Sequence, residues 1–145
     1  MNKDITFSKS IIISSTRKSL WKVLLSKDLY EKAWGARLET TWEPGTDIRF
    51  SGTWEGVAYS DKGVVQVNDE PELLKFSYWS SFWEADDRPD EYCFITFRIQ
   101  ALNNRTCECT ITQDGFRDDK HYADTTALLV DTLDVIKLEA EKAGR

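Results

Sequence analysis

The spacing of apolar residues along the chain alternates between a helical period and a strand period, and its last change marks the longest element. Leu129, Leu133, Ile136 and Ala140 fall on one stripe at helical spacing, while Asp124, Asp131, Asp134, Glu141 and Lys142 take the other side. This predicts one long helix over Asp119–Lys142 with a buried face, capped by Asp118 or Asp119. At the opposite end, Ile5, Phe7, Ile11 and Ile13 alternate with Thr6, Ser8, Ser10 and Ser14, the period of a half-buried strand. Lys9 interrupts that apolar face and either snorkels to an opening or marks a sheet edge. Ser14, Ser15 and Thr16 then offer capping hydroxyls to a short helix carrying Leu20, Trp21, Leu24 and Leu25. A second short helix from Asp28 to about Trp34 stops at Gly35.

From Arg37 to Gln113 the period is two. Leu38, Thr40 and Trp42 read as a strand before the Pro44-Gly45 turn, and Ile48 and Phe50 begin the next. A hairpin turns at Glu55-Gly56 and places Gly52 opposite Tyr59, whose ring can cover the bare glycine backbone. Asp61-Lys62-Gly63 breaks the apolar alternation and reads as a bulge before Val65 and Val67. Pairing Val65 with Phe76 and Val67 with Leu74 sets Gly63 opposite Tyr78 and keeps the apolar residues on one face. Tyr92–Gln100 and Thr106–Thr112 form a last hairpin around Asn103-Asn104. Pairing Ile99 with Cys107 there also matches Arg98 with Glu108 and Thr96 with Thr110. Strand, two short helices, about six antiparallel strands and a long helix is an α+β order. A curved sheet and a single amphipathic helix have only each other to bury against.

At 145 residues the chain is the size of one domain, spanning 1–145. Six Trp, five Tyr and seven Phe are a heavy aromatic load, so the rings fill a large core or line something. A net charge of -6 argues against a nucleic-acid backbone or an anionic membrane as partner. The start Met1-Asn2-Lys3-Asp4 has no apolar signal core, and no run nears the roughly 18 apolar residues of a membrane span, so a cytoplasmic location is expected. Cys93, Cys107 and Cys109 are odd in number and poorly spaced to bridge, and read as reduced core thiols.

Motif chemistry is sparse. No G-x-S-x-G, phosphate-binding glycine loop or G-x-G-x-x-G occurs, and one His with three Cys lacking C-x-x-C spacing makes no zinc site, so neither cofactor nor metal is expected. The acidic stretch from Ser80 to Glu91 lacks the ligand spacing and turn glycine of a calcium loop and reads as solvated. His121 reads as a solvent-facing residue at the start of the long helix. The stronger functional candidate is the inward face: Val65, Phe76, Tyr78, Ile95, Phe97, Ile99, Cys107, Cys109, Leu129 and Leu133, with Tyr122 and Trp34 near its ends. Periodicity alone does not separate a filled core from a lined pocket. Tyr78 opposite Gly63 is the most suggestive pair, since a glycine leaves room and a phenol offers one orienting hydrogen bond. Leu128, Val135 and Leu138 lie off the main helical stripe and either pack under the small helices or a loop, or contact another chain, leaving the oligomeric state open.

A family resemblance rests on Ile11-Ile13-Ser15, Leu20-Trp21 with Leu24, Trp34, Pro44-Gly45, Gly63-Val65, Pro71-Leu73-Leu74-Phe76, Thr110-Thr112-Gln113 and Leu129-Leu133-Ile136-Lys137-Glu139. In their order and spacing these resemble the stand-alone bacterial proteins related to the C-terminal domain of the activator of the ninety-kilodalton heat-shock chaperone's ATPase. That family sits in the START-like, or SRPBCC, superfamily with the helix-grip fold of the birch-pollen allergen. Thr46 stands where a second glycine is common, and Leu128 and Leu129 replace aromatic residues frequent early in the last helix. The resemblance implies a cavity between sheet and long helix that takes a small apolar or aromatic molecule without turning it over. It also implies two rivals: a chaperone ATPase activator docking through the outer sheet face, and a polyketide cyclase or aromatase using Tyr78 and His121 as acid and base.

Overall fold

The computed structural model describes residues 2–143 of the protein. Strand β1 (Asn2–Ile13) leads into helices α1 (Arg17–Leu25) and α2 (Lys27–Trp34). Strands β2 (Arg37–Glu39), β3 (Asp47–Trp54), β4 (Val57–Asp69) and β5 (Leu73–Tyr78) follow, and a loop with a 3-10 turn at Pro89–Glu91 leads to β6 (Cys93–Asn103) and β7 (Thr106–Phe116). Helix α3 (Asp119–Ala143) closes the order. The seven strands form one antiparallel sheet in the order β1-β7-β6-β5-β4-β3-β2. Helix α3 packs against β1, β7, α1 and α2.

Local chemistry sets the helix ends. The Thr16 hydroxyl accepts from Ser19 N at 3.1 Å and caps α1. Ser26 joins the two short helices: its N–H donates to Val23 O, and its hydroxyl accepts from Leu29 N at 3.3 Å to start α2. Gly35 ends α2 at φ 63°, a left-handed position that favours glycine. The Asp118 carboxylate accepts from His121 N at 2.7 Å and caps α3. Glu55 and Gly56 both have positive φ, 48° and 79°, as a tight two-residue hairpin turn requires, and Gly52 pairs with Tyr59 as expected.

Three registers depart from the sequence reading. Strand β2 stops at Glu39, because Trp42 takes a left-handed backbone at φ 64° that cannot continue a ladder. The conformation is held by burial and by two hydrogen bonds, Trp42 Nε1 to Leu25 O at 2.9 Å and Asn68 Nδ2 to Trp42 O at 3.0 Å. Strand β4 pairs with β3 without interruption from Val57 to Val64, so Asp61-Lys62-Gly63 is not a bulge. The irregularity falls between Val65 and Val67 on the β5 side, where Val67 pairs with Lys75 and Asn68 with Leu74. In the last hairpin the turn lies at Asn104-Arg105 and a second irregularity sits between Ala101 and Asn103. Ile99 therefore pairs with Cys109, Arg98 with Thr110 and Thr96 with Thr112. The shift of two residues from the expected register leaves every side chain on its expected face, because strand parity is preserved.

On α3 the buried residues are Leu129, Thr132, Leu133, Ile136 and Ala140, and they meet the inward face of the sheet in a continuous apolar core. Rings dominate its β2-side half. Tyr30, Trp34, Phe50 and Phe76 form a chain of contacts with centroid separations of 5.0 to 5.8 Å. Among the described residues no helix is long and apolar enough to cross a membrane.

Candidate functional site

The core does not extend to the top of the sheet. Between the end of α2, the β3–β4 hairpin, the loop after β5 and the first turns of α3 lies a cleft of about 1060 Å³. Trp34, Tyr59, Tyr78, Phe82, Trp83 and His121 supply its rings, and Ile95, Leu128 and Leu129 its aliphatic wall. The mouth is open: Trp54 on its rim is 64% exposed and Phe82 48%. Helix α3 divides its labour, because Lys120, His121, Asp124, Thr125, Leu128 and Leu129 line the cleft and the stripe from Leu129 onward fills the core. The wall is fastened from behind. Trp34 Nε1 donates to Thr132 Oγ1 at 2.9 Å, and Thr132 in turn donates to Leu128 O. The Arg117 guanidinium reaches Glu91 at 3.3 Å and Glu84 O at 3.1 Å, tying the loop before β6 to the start of α3.

Polar side chains line the cleft beside the rings, among them Asp61, Gln113, Lys120 and Asp124. Asp61 on β4 is 5% exposed and lines the cleft. Its Oδ1 accepts from Ser80 Oγ at 2.9 Å and Ser81 N at 3.0 Å, and its Oδ2 accepts from the Tyr78 hydroxyl. Burial, reinforced by the charge of Asp61, raises the Tyr78 phenol well above its ordinary value, so it stays a proton donor. Gln113 on β7 is 2% exposed and lines the cleft, and the buried side-chain atom without a partner among the described residues is Trp79 Nε1. His121 is half-buried between the rings of Trp83 and Phe116, at 5.1 and 5.7 Å. Its Nδ1 accepts from Arg117 N at 2.9 Å, which leaves Nε2 as the remaining polar atom. Burial holds the imidazole below the usual histidine value against the opposing pull of Asp118, so it is neutral near pH 7. Among the described residues no group of three or more His, Cys, Asp or Glu is placed to hold a metal. Burial pushes the Cys109 thiol up to about 12 and the Cys93 thiol upward as well, so both are inert packing groups.

A cleft between a gripping sheet and a terminal helix invites comparison with known proteins. The family model described as Activator of Hsp90 ATPase homolog 1-like protein matches residues 14–139. The chain belongs to that family. The structure of ChR145 from Cytophaga hutchinsonii is 25% identical to this family member, superposes with a TM-score of 0.78, and is covered over 94% of both chains. Ara h 8.0201 superposes at 0.71 with 15% identity over 94% of this chain and 97% of its own. PFC0360w, an HSP90 activator from Plasmodium falciparum, superposes at 0.60 with 14% identity over 76% of this chain and 72% of its own. The fold is the START-like helix grip shared with the birch-pollen-allergen type. Comparison with curated proteins finds no significant match.

In this Hsp90-activator-like chain, the residues singled out from the sequence divide into two groups. Trp34, Tyr78, Ile95 and Leu129 come together on the cleft wall. Val65, Phe76, Phe97, Ile99, Cys107, Cys109 and Leu133 are buried core outside the lining. Tyr122 also lies outside it, 37% exposed, with its ring against Phe7 and Phe116. Two expectations need correction. Gly63 leaves no room beside Tyr78, because its missing side chain is what lets the Ser77 backbone of β5 come close. His121 does not face solvent; it lines the cleft. Asp61, Ser80, Trp83 and Gln113 were not anticipated. Strand parity carries the signal for two of them: Asp61 continues the inward series of Gly63 and Val65, and Gln113 the series of Cys107, Cys109 and Ile111.

Proposed function

We propose that the protein is a binding module for a small molecule with an apolar or aromatic body, held in the cleft between the sheet and the first turns of α3. The observation that carries this reading is an aromatic cleft of about 1060 Å³ with Asp61 and Gln113 on its wall. Ligand sites of about 300–1,000 Å³ characteristically combine apolar walls with a few polar groups. The Gln113 amide offers such a guest N–H donors and a carbonyl acceptor, while the Asp61–Tyr78–Ser80 network sets a second polar edge three strands away. A screen of aromatic and aliphatic fragments by chemical-shift perturbation tests the reading. Shifts are expected at Trp34, Tyr78, Ile95, Gln113 and Leu129, and Gln113→Leu should weaken polar hits more than hydrocarbons. Shifts confined to residues outside the cleft, or no hit at all, would defeat it.

Family membership and the likeness to the HSP90 activator PFC0360w support a second reading, a chaperone partner. The outer sheet face is the surface proposed for it. There the hydroxyl pairs Ser8–Thr112 and Ser10–Thr110, at 3.0 and 2.7 Å, and Lys75 over the Phe94 ring at 4.7 Å make a mixed polar and aromatic face. Stimulation of the host chaperone's ATPase, abolished by Phe94→Ala and indifferent to cleft ligands, is the expected result. A chaperone whose turnover ignores saturating protein would end this reading.

A further inference from the structure

The cleft sets a buried negative charge, Asp61, among aromatic rings, and the lysine on its lining, Lys120, is paired with Asp124 rather than with Asp61. Asp61 takes part in no ion pair among the described residues, although basic side chains are near in the chain and in space. Lys62 turns to the outer face and pairs with Asp87, Lys120 pairs with Asp124 at 2.6 Å, and Arg117 pairs with Glu91 at 3.3 Å. Hydrogen bonds from Tyr78, Ser80 and Ser81 satisfy the carboxylate oxygens but leave its net charge in an apolar surrounding, a costly arrangement until a cation is brought in. The neighbouring rings favour the same sign of guest. Trp34 meets Tyr78 at 76° and Tyr78 meets Trp83 at 58°, so the three stand as walls of a box rather than a stack. Ring faces carry negative potential and attract ammonium groups. The Tyr78 hydroxyl donates its hydrogen bond to Asp61 and keeps its proton, which leaves the phenol oxygen as an acceptor for a ligand N–H.

We propose that the ligand of this cleft is an organic cation, an ammonium group on an apolar or aromatic body, seated among Trp34, Tyr78 and Trp83 with its charge balanced by Asp61. The inference rests on the ligand-binding reading above and names the chemical class of the ligand. Anionic guests are disfavoured by the same carboxylate.

A shape-matched series tests it: benzyltrimethylammonium, its neutral carbon isostere neopentylbenzene, benzylsulfonate, and benzylamine to separate N–H donation from charge alone. Binding is read by tryptophan fluorescence and by indole N–H shifts of Trp34 and Trp83. The two cations should bind about tenfold or more tighter than the isostere, and the sulfonate weakest. Tighter binding of benzylamine than of the quaternary cation would assign the N–H contact to Tyr78, while equal binding would assign recognition to charge and rings. Asp61→Asn should bring the cations to within about threefold of the isostere while leaving the isostere unchanged. Should that variant not fold, Trp83→Leu provides the second test and must weaken the cations more than the isostere. If the isostere or sulfonate binds as tightly as the cations, or Asp61→Asn keeps the preference, the cation assignment is wrong while ligand binding stands. If no member of the series binds, both readings fall.

Discussion

Gly63→Ala should cost about 3 kcal/mol of stability or more and lower the melting midpoint by roughly 10 °C. A methyl group there would overlap the Ser77 carbonyl oxygen, and stand 2.5 Å from the Ser77 carbonyl carbon and 3.2 Å from Tyr78 N. All three are backbone atoms of the neighbouring strand, so no rotamer change relieves the clash. The backbone of Gly63 is not in the left-handed region, and the cost comes from the approach of β5 alone. Gly52 makes the contrast. Its added methyl would meet the Tyr59 hydroxyl at 2.9 Å, which can swing away, and a single backbone atom, Gly35 O, at 3.0 Å. The damage at Gly63 would also reach the cleft. Val65–Phe76 and Lys62–Trp79 pairing bracket the site, and prying β4 from β5 there moves Asp61 away from Ser80 and Ser81. Thermal unfolding followed by circular dichroism checks the prediction; a variant melting with the parent protein would show that the two strands separate at no cost.

Much of this architecture was legible from residue spacing, because burial imposes a period on every element. The α3 stripe, the Ser26 and Gly35 boundaries and the Gly52–Tyr59 pair each follow from a local rule: helical periodicity, capping or turn geometry. Register failed where it depended on irregular positions. Nothing in the spacing of Ile99, Cys107 and Cys109 distinguishes two registers that differ by two residues, since both keep the apolar face intact. The site was harder to read for a related reason. Expecting inward positions to be apolar turns an inward aspartate into an apparent bulge, which is how Asp61 was lost. Parity read without regard to residue type places it, and Gln113, on the inward face. What separates Tyr78 and Ile95 from Val65 and Phe97 is distance along the strand from the end that α3 leaves uncovered, and that depends on how helix and sheet diverge in three dimensions.

Phe76→Ala should destabilise the protein by about 3–5 kcal/mol while barely changing the affinity of the molecules that remain folded. Phe76 is fully buried and touches the rings of Trp42, Phe50 and Phe97, with centroids 6.1, 5.8 and 6.4 Å away. It lies outside the cleft lining, so its ring supports the aromatic core without facing a guest. Trp83 is the opposite case. It is partly exposed on the loop after β5 and contacts Tyr78 and His121 across the cleft, so Trp83→Leu should cost about 1 kcal/mol or less yet weaken binding several-fold. Chemical denaturation and ligand titration on the two variants should therefore give crossed effects. If Phe76→Ala instead lost affinity as steeply as Trp83→Leu at a temperature where both are folded, the guest would have to reach past Tyr78 into the ring cluster. The boundary between core and site would then lie one layer deeper along β5.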